Sequence, residues 1–204
     1  VGDIYENKVS RINGFKKQFS GRIDTDEKKR LFVGFDAYQK VIDSGVDIVL
    51  LTSTPAFRPL HFEAAVAAGK HVFLEKPIAL DIPGLKSVID SAKKAQSKGL
   101  SVLTGLVWRY SGQLIEMHKR IQDGAIGDVL STSSAYSNGG RPNRVPDPKF
   151  KPAEMSDMEW SLRYWQSFLE LSGDGLLEFM IHGVDRMSWA MGDAMPVRCY
   201  ASGC

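Results

Sequence analysis

Four groups of residues carry types and spacings that chemistry can use. Leu74-Glu75-Lys76-Pro77 closes the apolar run His71-Val72-Phe73-Leu74, which reads as a parallel strand. Ligands of open α/β sheets bind just beyond the carboxyl ends of the strands, so a lysine there points a positive charge at a bound oxygen. Pro77 sets the turn and makes the Lys76–Pro77 bond a candidate for the cis form. A plain surface lysine before a helix-opening proline is the competing reading. Thr52-Ser53-Thr54-Pro55 ends the preceding strand, where small hydroxyl residues let a ligand approach the backbone. A simple turn with a helix cap fits as well. His61 follows on the next helix, a place where histidine is usually structural or solvated. Glu178 and His182 stand four apart on one helix and so share a face, with apolar Leu176, Leu177, Met180 and Ile181 around them. A carboxylate so placed orients an imidazole, which then serves as a general base near neutral pH. A surface pair of little energetic consequence is the alternative. Asp3 ends an early strand. In a dinucleotide-binding sheet such an acid bonds the ribose hydroxyls and repels a 2′-phosphate, and otherwise it is a turn or cap residue.

The elements that must position these groups alternate. Residues 1–3 end a strand, and residues 6–19 read as a helix on Val9, Ile12 and Phe15. Residues 20–30 are polar loop and 31–33 a brief strand. Asp36 reads as the N-cap of a helix over 37–44. The run 46–52 reads as a central strand buried on both faces. Helices over 59–68 and 82–98 end at Gly69 and Gly99, with strands at 71–74 and 100–104. This rhythm predicts right-handed βαβ units in a parallel sheet. Beyond Gly105 the pattern gives a helix at 113–122, a strand with one wet face at 127–136, and an irregular loop at 138–157. A helix over 176–191 and a strand starting at 197 follow. The domains expected are 1–108 and 109–204.

The chain has 204 residues and a formal net charge of +2, which gives no basis for a nucleic-acid or anionic-membrane partner. Lys28-Lys29-Arg30 reads as a wet loop. Cys199 and Cys204 match no zinc or redox spacing, so no metal site is expected. No apolar stretch has the length of a membrane span. A reducing, cytoplasmic location is the expectation.

Together the motifs resemble a known family. Val46-Asp47-Ile48-Val49, Thr54-Pro55, His61 and the run Ala68 to Pro77 look like the signature of the glucose–fructose oxidoreductase, inositol dehydrogenase and rhizopine catabolism proteins (Gfo/Idh/MocA). Residues 105–110 resemble that family's crossover into its second domain, and Ser172 to His182 its glycine-rich entry to the catalytic helix. The resemblance implies a Rossmann-type parallel sheet followed by an α+β domain on an open, mostly antiparallel sheet. It implies NAD or NADP, with NAD favoured by Asp3, bound by Asp3, Thr52, Thr54, Pro55, His61, Glu75, Lys76 and Pro77. It implies a sugar, polyol or related small-molecule substrate, and a homo-oligomer in the intact protein. By position, Lys76 would contact cofactor and substrate, His182 would be the acid/base, and Glu178 stands where the family usually has Asp.

The mechanism expected is hydride transfer, with Lys76 and His182 meeting at one cleft. Trp108, Arg109 and Tyr110 at the crossover would wall the pocket, though an arginine there is more often a structural ion pair. Arg163, Tyr164 and Trp165 would line the sugar site, although aromatic clusters are usually core. Two alternatives stay open: an NAD-dependent glycosidase of the same fold, and a non-catalytic dinucleotide-binding sensor. The family's Gly-rich fingerprint is expected before Asp3, and its sheet beyond Cys204. The sequence therefore reads as a fragment lacking the N-terminal βαβ unit and the C-terminal end, without the main pyrophosphate cradle.

Overall fold

The computed structural model describes residues 1–19, 21–23, 30–137 and 147–202. Lys28, Lys29, Cys204 and residues 138–146 of the expected 138–157 loop therefore lie outside the described residues. The chain forms two compact units, Val1–Gly105 and Leu106–Cys204.

In the first unit β1 (Gly2–Asp3) pairs in parallel with β2 (Phe32–Val33). The helical stretch between them is two helices, α1 (Glu6–Val9) and α2 (Ile12–Gln18), rather than the one expected. The break falls at Ser10, whose hydroxyl bonds back to the Asn7 carbonyl at 3.2 Å, the local competition that makes serine a poor helix-interior residue. α3 (Ala37–Ile42) follows β2. Asp36 stands at its N-cap position but makes no side-chain cap there. Its carboxylate instead pairs with Lys40 at 2.8 Å, one turn along.

The second sheet holds β3 (Ile48–Leu51), β4 (His71–Leu74) and β5 (Val102–Thr104), all parallel, in that order. α4 (Arg58–Ala67) and α5 (Ile82–Ser97) are its crossovers. Gly69 and Gly99 close them at φ +73° and +67°, a conformation that costs a residue with a Cβ about 1 kcal/mol or more. Asp81 caps α5 by accepting from Gly84 N–H at 2.7 Å. The core lies between these helices and one face of the sheet: Phe62 and Val66 from α4, Val88 and Ala95 from α5, against Val49, Leu51, Val72 and Leu74.

β3 differs from the expected strand buried on both faces. Val49 and Leu51 are buried, but Ile48 and Leu50 are 58% and 66% exposed. Among the described residues β3 pairs with β4 alone, and the core contacts of α4 and α5 lie on the face that Val49 and Leu51 share.

The described part of the second unit is helical. Its helices are α6 (Gly112–Gln122), α7 (Asp157–Arg163), α8 (Leu169–Ser172) and α9 (Ile181–Ala190), with a π-helical turn at Leu176–Met180 leading into α9. The strands expected at 127–136 and from 197 do not form among the described residues. Alternation supplies a face, but a strand also needs a neighbour for its N–H and C=O groups, and none is described beside these segments. α7 was not foreseen, although its signal is present: Ser156 accepts from Glu159 N–H at 3.1 Å, a Ser-x-x-Glu helix start. Among the described residues no helix is long and apolar enough to cross a membrane, and no metal-ligating cluster occurs.

Candidate active site

The hydroxyl-rich loop after β3, the Lys76 turn after β4 and the end of β1 all lie at carboxyl ends of parallel strands. Parallel ladders point every strand the same way, so the residue after each strand emerges at one rim. Between β1 and β3, within the first unit, is a cavity of about 460 Å³. Asp3, Thr52, Ser53, Thr54 and His61 all line it, so four members of the expected cofactor set share one space. Asp3 also serves its local alternative, because its Oδ1 accepts from Tyr5 N–H at 2.9 Å.

His61 is fixed from three sides. Its Nδ1 lies 3.1 Å from Ser53 Oγ, and its ring stacks on Tyr38 with centroids 4.2 Å apart and faces Phe57 at 6.2 Å. Burial pushes its pKa down from 6.5 to about 4. The folded protein thus favours the neutral ring while the unfolded chain binds a proton near pH 6.5. The stability that this contributes is complete above pH 6.5 and is lost as pH falls toward about 4. The melting temperature is expected to drop over that window, and His61→Phe to flatten the drop. An unchanged pH profile in the variant would show that His61 does not hold a neutral, buried state.

Lys76 is held from both sides of its turn. Its N–H donates to Glu75 Oε2 at 3.1 Å, and the Glu75 carboxylate lies on Gly105, where a Cβ would come within 2.5 Å of Oε2. The Lys76–Pro77 bond is cis. Behind it Arg58, only 4% exposed, donates from Nη1 to the Pro77 carbonyl at 2.8 Å. Sequence reasoning missed Arg58, because an arginine opening a helix ordinarily reads as solvated surface. Pro55 is buried at the first position of a short 3-10 turn, Pro55–Phe57.

In the second unit Glu178 and His182 are 5% and 9% exposed. Glu178 lies in the π-helical turn and His182 in the first turn of α9, rather than on one uniform α-helix as expected. Such turns recur at functional sites, since the extra residue re-aims the side chains that follow. Both polar groups are buried, which sets them apart from an ordinary surface pair. Arg163, Tyr164 and Trp165 end α7: Arg163 pairs with Glu159 at 2.8 Å, and Tyr164 packs on Trp160 with centroids 4.6 Å apart. The aromatic found on His182 is another one, Tyr136, with ring centroids 6.5 Å apart.

Arg109 takes the ion-pair alternative. Its Nε donates to Asp185 Oδ1 at 2.8 Å, and its Nη1 and Nη2 donate to Asp193 at 2.9 and 2.6 Å. Its guanidinium lies 5.4 Å from the Trp189 ring centre, and Arg186 sits 5.6 Å over Trp108.

Parallel βα units, with a largely apolar cavity along β3 that ends on Thr52, Ser53 and Thr54, define an α/β protein of the dinucleotide-binding class. The chain belongs to the Gfo/Idh/MocA family, an oxidoreductase family with an NAD-binding Rossmann fold, which it matches over residues 4–104. Among its relatives is the inositol 2-dehydrogenase/D-chiro-inositol 3-dehydrogenase of Lactiplantibacillus plantarum. The two are 36% identical over 133 residues, 64% of this chain and 36% of that protein. The enzyme of the same name from Halalkalibacterium halodurans is 26% identical over 186 residues, 91% of this chain and 46% of that one. The chain thus spans about a third to a half of the length of these relatives. Among solved structures, a levoglucosan dehydrogenase in complex with NADH and levoglucosan superposes with a TM-score of 0.66 at 19% identity, covering 94% of this chain and 44% of that one. An aldose-aldose oxidoreductase from Caulobacter crescentus complexed with glycerol gives 0.61 at 20%, covering 94% and 48%. At these identities the solved structures speak for the fold alone.

Proposed function

We propose that this chain carries the cofactor-binding and acid/base residues of an NAD-dependent oxidoreductase acting on a hydroxyl of a polyol or sugar. The observation that carries this reading is the burial of Glu178 and His182 together on consecutive turns, Glu178 in the π-helical turn and His182 at the start of α9. A carboxylate and an imidazole removed from water in that way are costly as mere structure and useful as an oriented base.

The cavity between β1 and β3 fits the adenosine end of a dinucleotide. Asp3 there would bond the ribose hydroxyls and disfavour a 2′-phosphate, which selects NAD over NADP. Thr52, Thr54 and His61 would line the same space, while Pro55, Glu75, Lys76 and Pro77, which do not line this cavity, would meet the cofactor from the turns after β3 and β4. A nicotinamide bound there would supply the hydride acceptor. His182 takes the proton of the substrate hydroxyl, and Glu178 orients the ring that receives it. Lys76 would supply positive charge to an oxygen on which negative charge develops, a role that is often the largest catalytic contribution. The carbon bearing the hydroxyl gives up the hydride with both electrons and becomes a carbonyl, and the proton rests on the imidazole. The inositol dehydrogenase names among the relatives support a polyol as the substrate class.

Cofactor choice tests the first half of this reading. NADH added to the chain is expected to gain fluorescence and NADPH to bind more weakly. Asp3→Ser is expected to narrow that difference. Equal binding of the two cofactors by the native chain would remove Asp3 from the cofactor site.

A further inference from the structure

The segment before residue 138, expected as a strand, pairs with no strand among the described residues and lies against the helix that carries the acid/base residue. Ser134 sits against Gly183, where a Cβ would lie 2.6 Å from the serine Oγ, so this contact admits only glycine without rearrangement. Two residues on, Tyr136 packs its ring on Phe179 with centroids 5.9 Å apart, and on His182 at 6.5 Å with the planes 24° from parallel. Phe179 and His182 lie on the π-helical turn and α9. Tyr136 is nevertheless 39% exposed, while His182 is 9% exposed. An accessible aromatic surface thus adjoins a buried imidazole, and the Ser134–Gly183 contact keeps it in register.

We propose that Tyr136 is the platform on which a polyol or sugar ring lies while one of its hydroxyls faces His182. The face of an aromatic ring is negative and its preferred partners are the positive edges of C–H groups, which a cyclic polyol presents on its flat sides. The hydroxyls of such a ring point outward around its rim, so a ring lying on Tyr136 turns a hydroxyl toward the neighbouring imidazole. This assigns the sugar-stacking role to Tyr136 in place of Tyr164 and Trp165, whose described packing is on Trp160 and within the 3-10 turn at Trp165–Ser167. The inference rests on the oxidoreductase reading only in taking His182 as the reacting end.

The test is an NMR titration of the chain with myo-inositol as the probe, following the Tyr136 ring and the His182 imidazole. Both signals are expected to move with one dissociation constant. Tyr136→Phe is expected to bind within about twofold of the native chain. Tyr136→Ala and Tyr136→Leu are each expected to weaken binding about threefold to tenfold, the range for one aromatic stacking contact. The leucine variant keeps apolar cover on Phe179, so its loss reports the aromatic face and not misfolding. Unchanged affinity in Tyr136→Leu, or a native Tyr136 signal that ignores the probe, overturns the platform. If that happens while His182 still responds to myo-inositol, the oxidoreductase reading survives. If Tyr136 binds as expected while His182→Asn keeps full turnover, the catalytic reading fails and the platform stands.

Discussion

His182→Asn is expected to lower turnover of a polyol by about 10²- to 10⁴-fold, the usual contribution of a placed general base. Asparagine keeps polar bulk in the buried position, so far-UV circular dichroism is expected to stay native while nicotinamide reduction falls. Lys76→Ala is expected to cost about 10²- to 10³-fold, the scale for removing one donor to a developing oxyanion. The two losses should differ in their pH profiles. Any pH dependence of activity that His182 supplies should disappear in His182→Asn and persist at a lower level in Lys76→Ala. Glu178→Gln tests orientation: it keeps a hydrogen-bonding oxygen, so its loss should be smaller than that of His182→Asn. Near-native turnover in the Lys76 or His182 variant would remove that residue from the chemistry.

The second large effect expected is structural. Arg109→Leu leaves the Asp185 carboxylate, whose side chain is 7% exposed, without its ion-pair partner. Stranding one buried charge in this way costs about 3–5 kcal/mol, far more than the pair contributes when both partners are replaced. For a unit of this size that corresponds to a fall in melting temperature on the order of 10 °C or more. Arg109→Leu with Asp185→Leu should recover most of the loss, since no charge is then left buried. The Asp193 pair adds less, because that carboxylate is half exposed and screened by water. Its hydrogen bonds to Arg109 hold its pKa below the usual carboxylate range, so the small stability it gives is present above that range and lost on acidification. Were Arg109 a substrate ligand instead, Arg109→Leu would raise KM and leave the melting temperature unchanged.

Much of this was open to a reading of the chain alone. The order of strands and helices through residue 104 follows from local periodicity, and the helix ends at Gly69 and Gly99 follow from local backbone demands. The Lys76 turn was recognisable because a charged residue directly after an apolar strand occupies the rim where ligands bind. Those signals lie within a few residues of one another and need no distant partner.

Contacts across long sequence separation carried no such signal. Arg109 and Asp185 are 76 positions apart, and nothing near Arg109 distinguishes an ion pair from a substrate ligand. Arg58 reaches Pro77 across the α4 helix and a strand, and Tyr136 reaches His182 from a segment whose alternation suggested a sheet. The same alternation failed as a strand because pairing depends on a neighbour, which one segment's own residues cannot specify. The sequence alone therefore determined which groups could do chemistry and which rim of the sheet presents the Lys76 turn. Only tertiary structure decided which of them are buried, which are tied into ion pairs, and which aromatic ring stands beside the imidazole. Burial and charge pairing are properties of the space around a side chain, and folding alone creates that space.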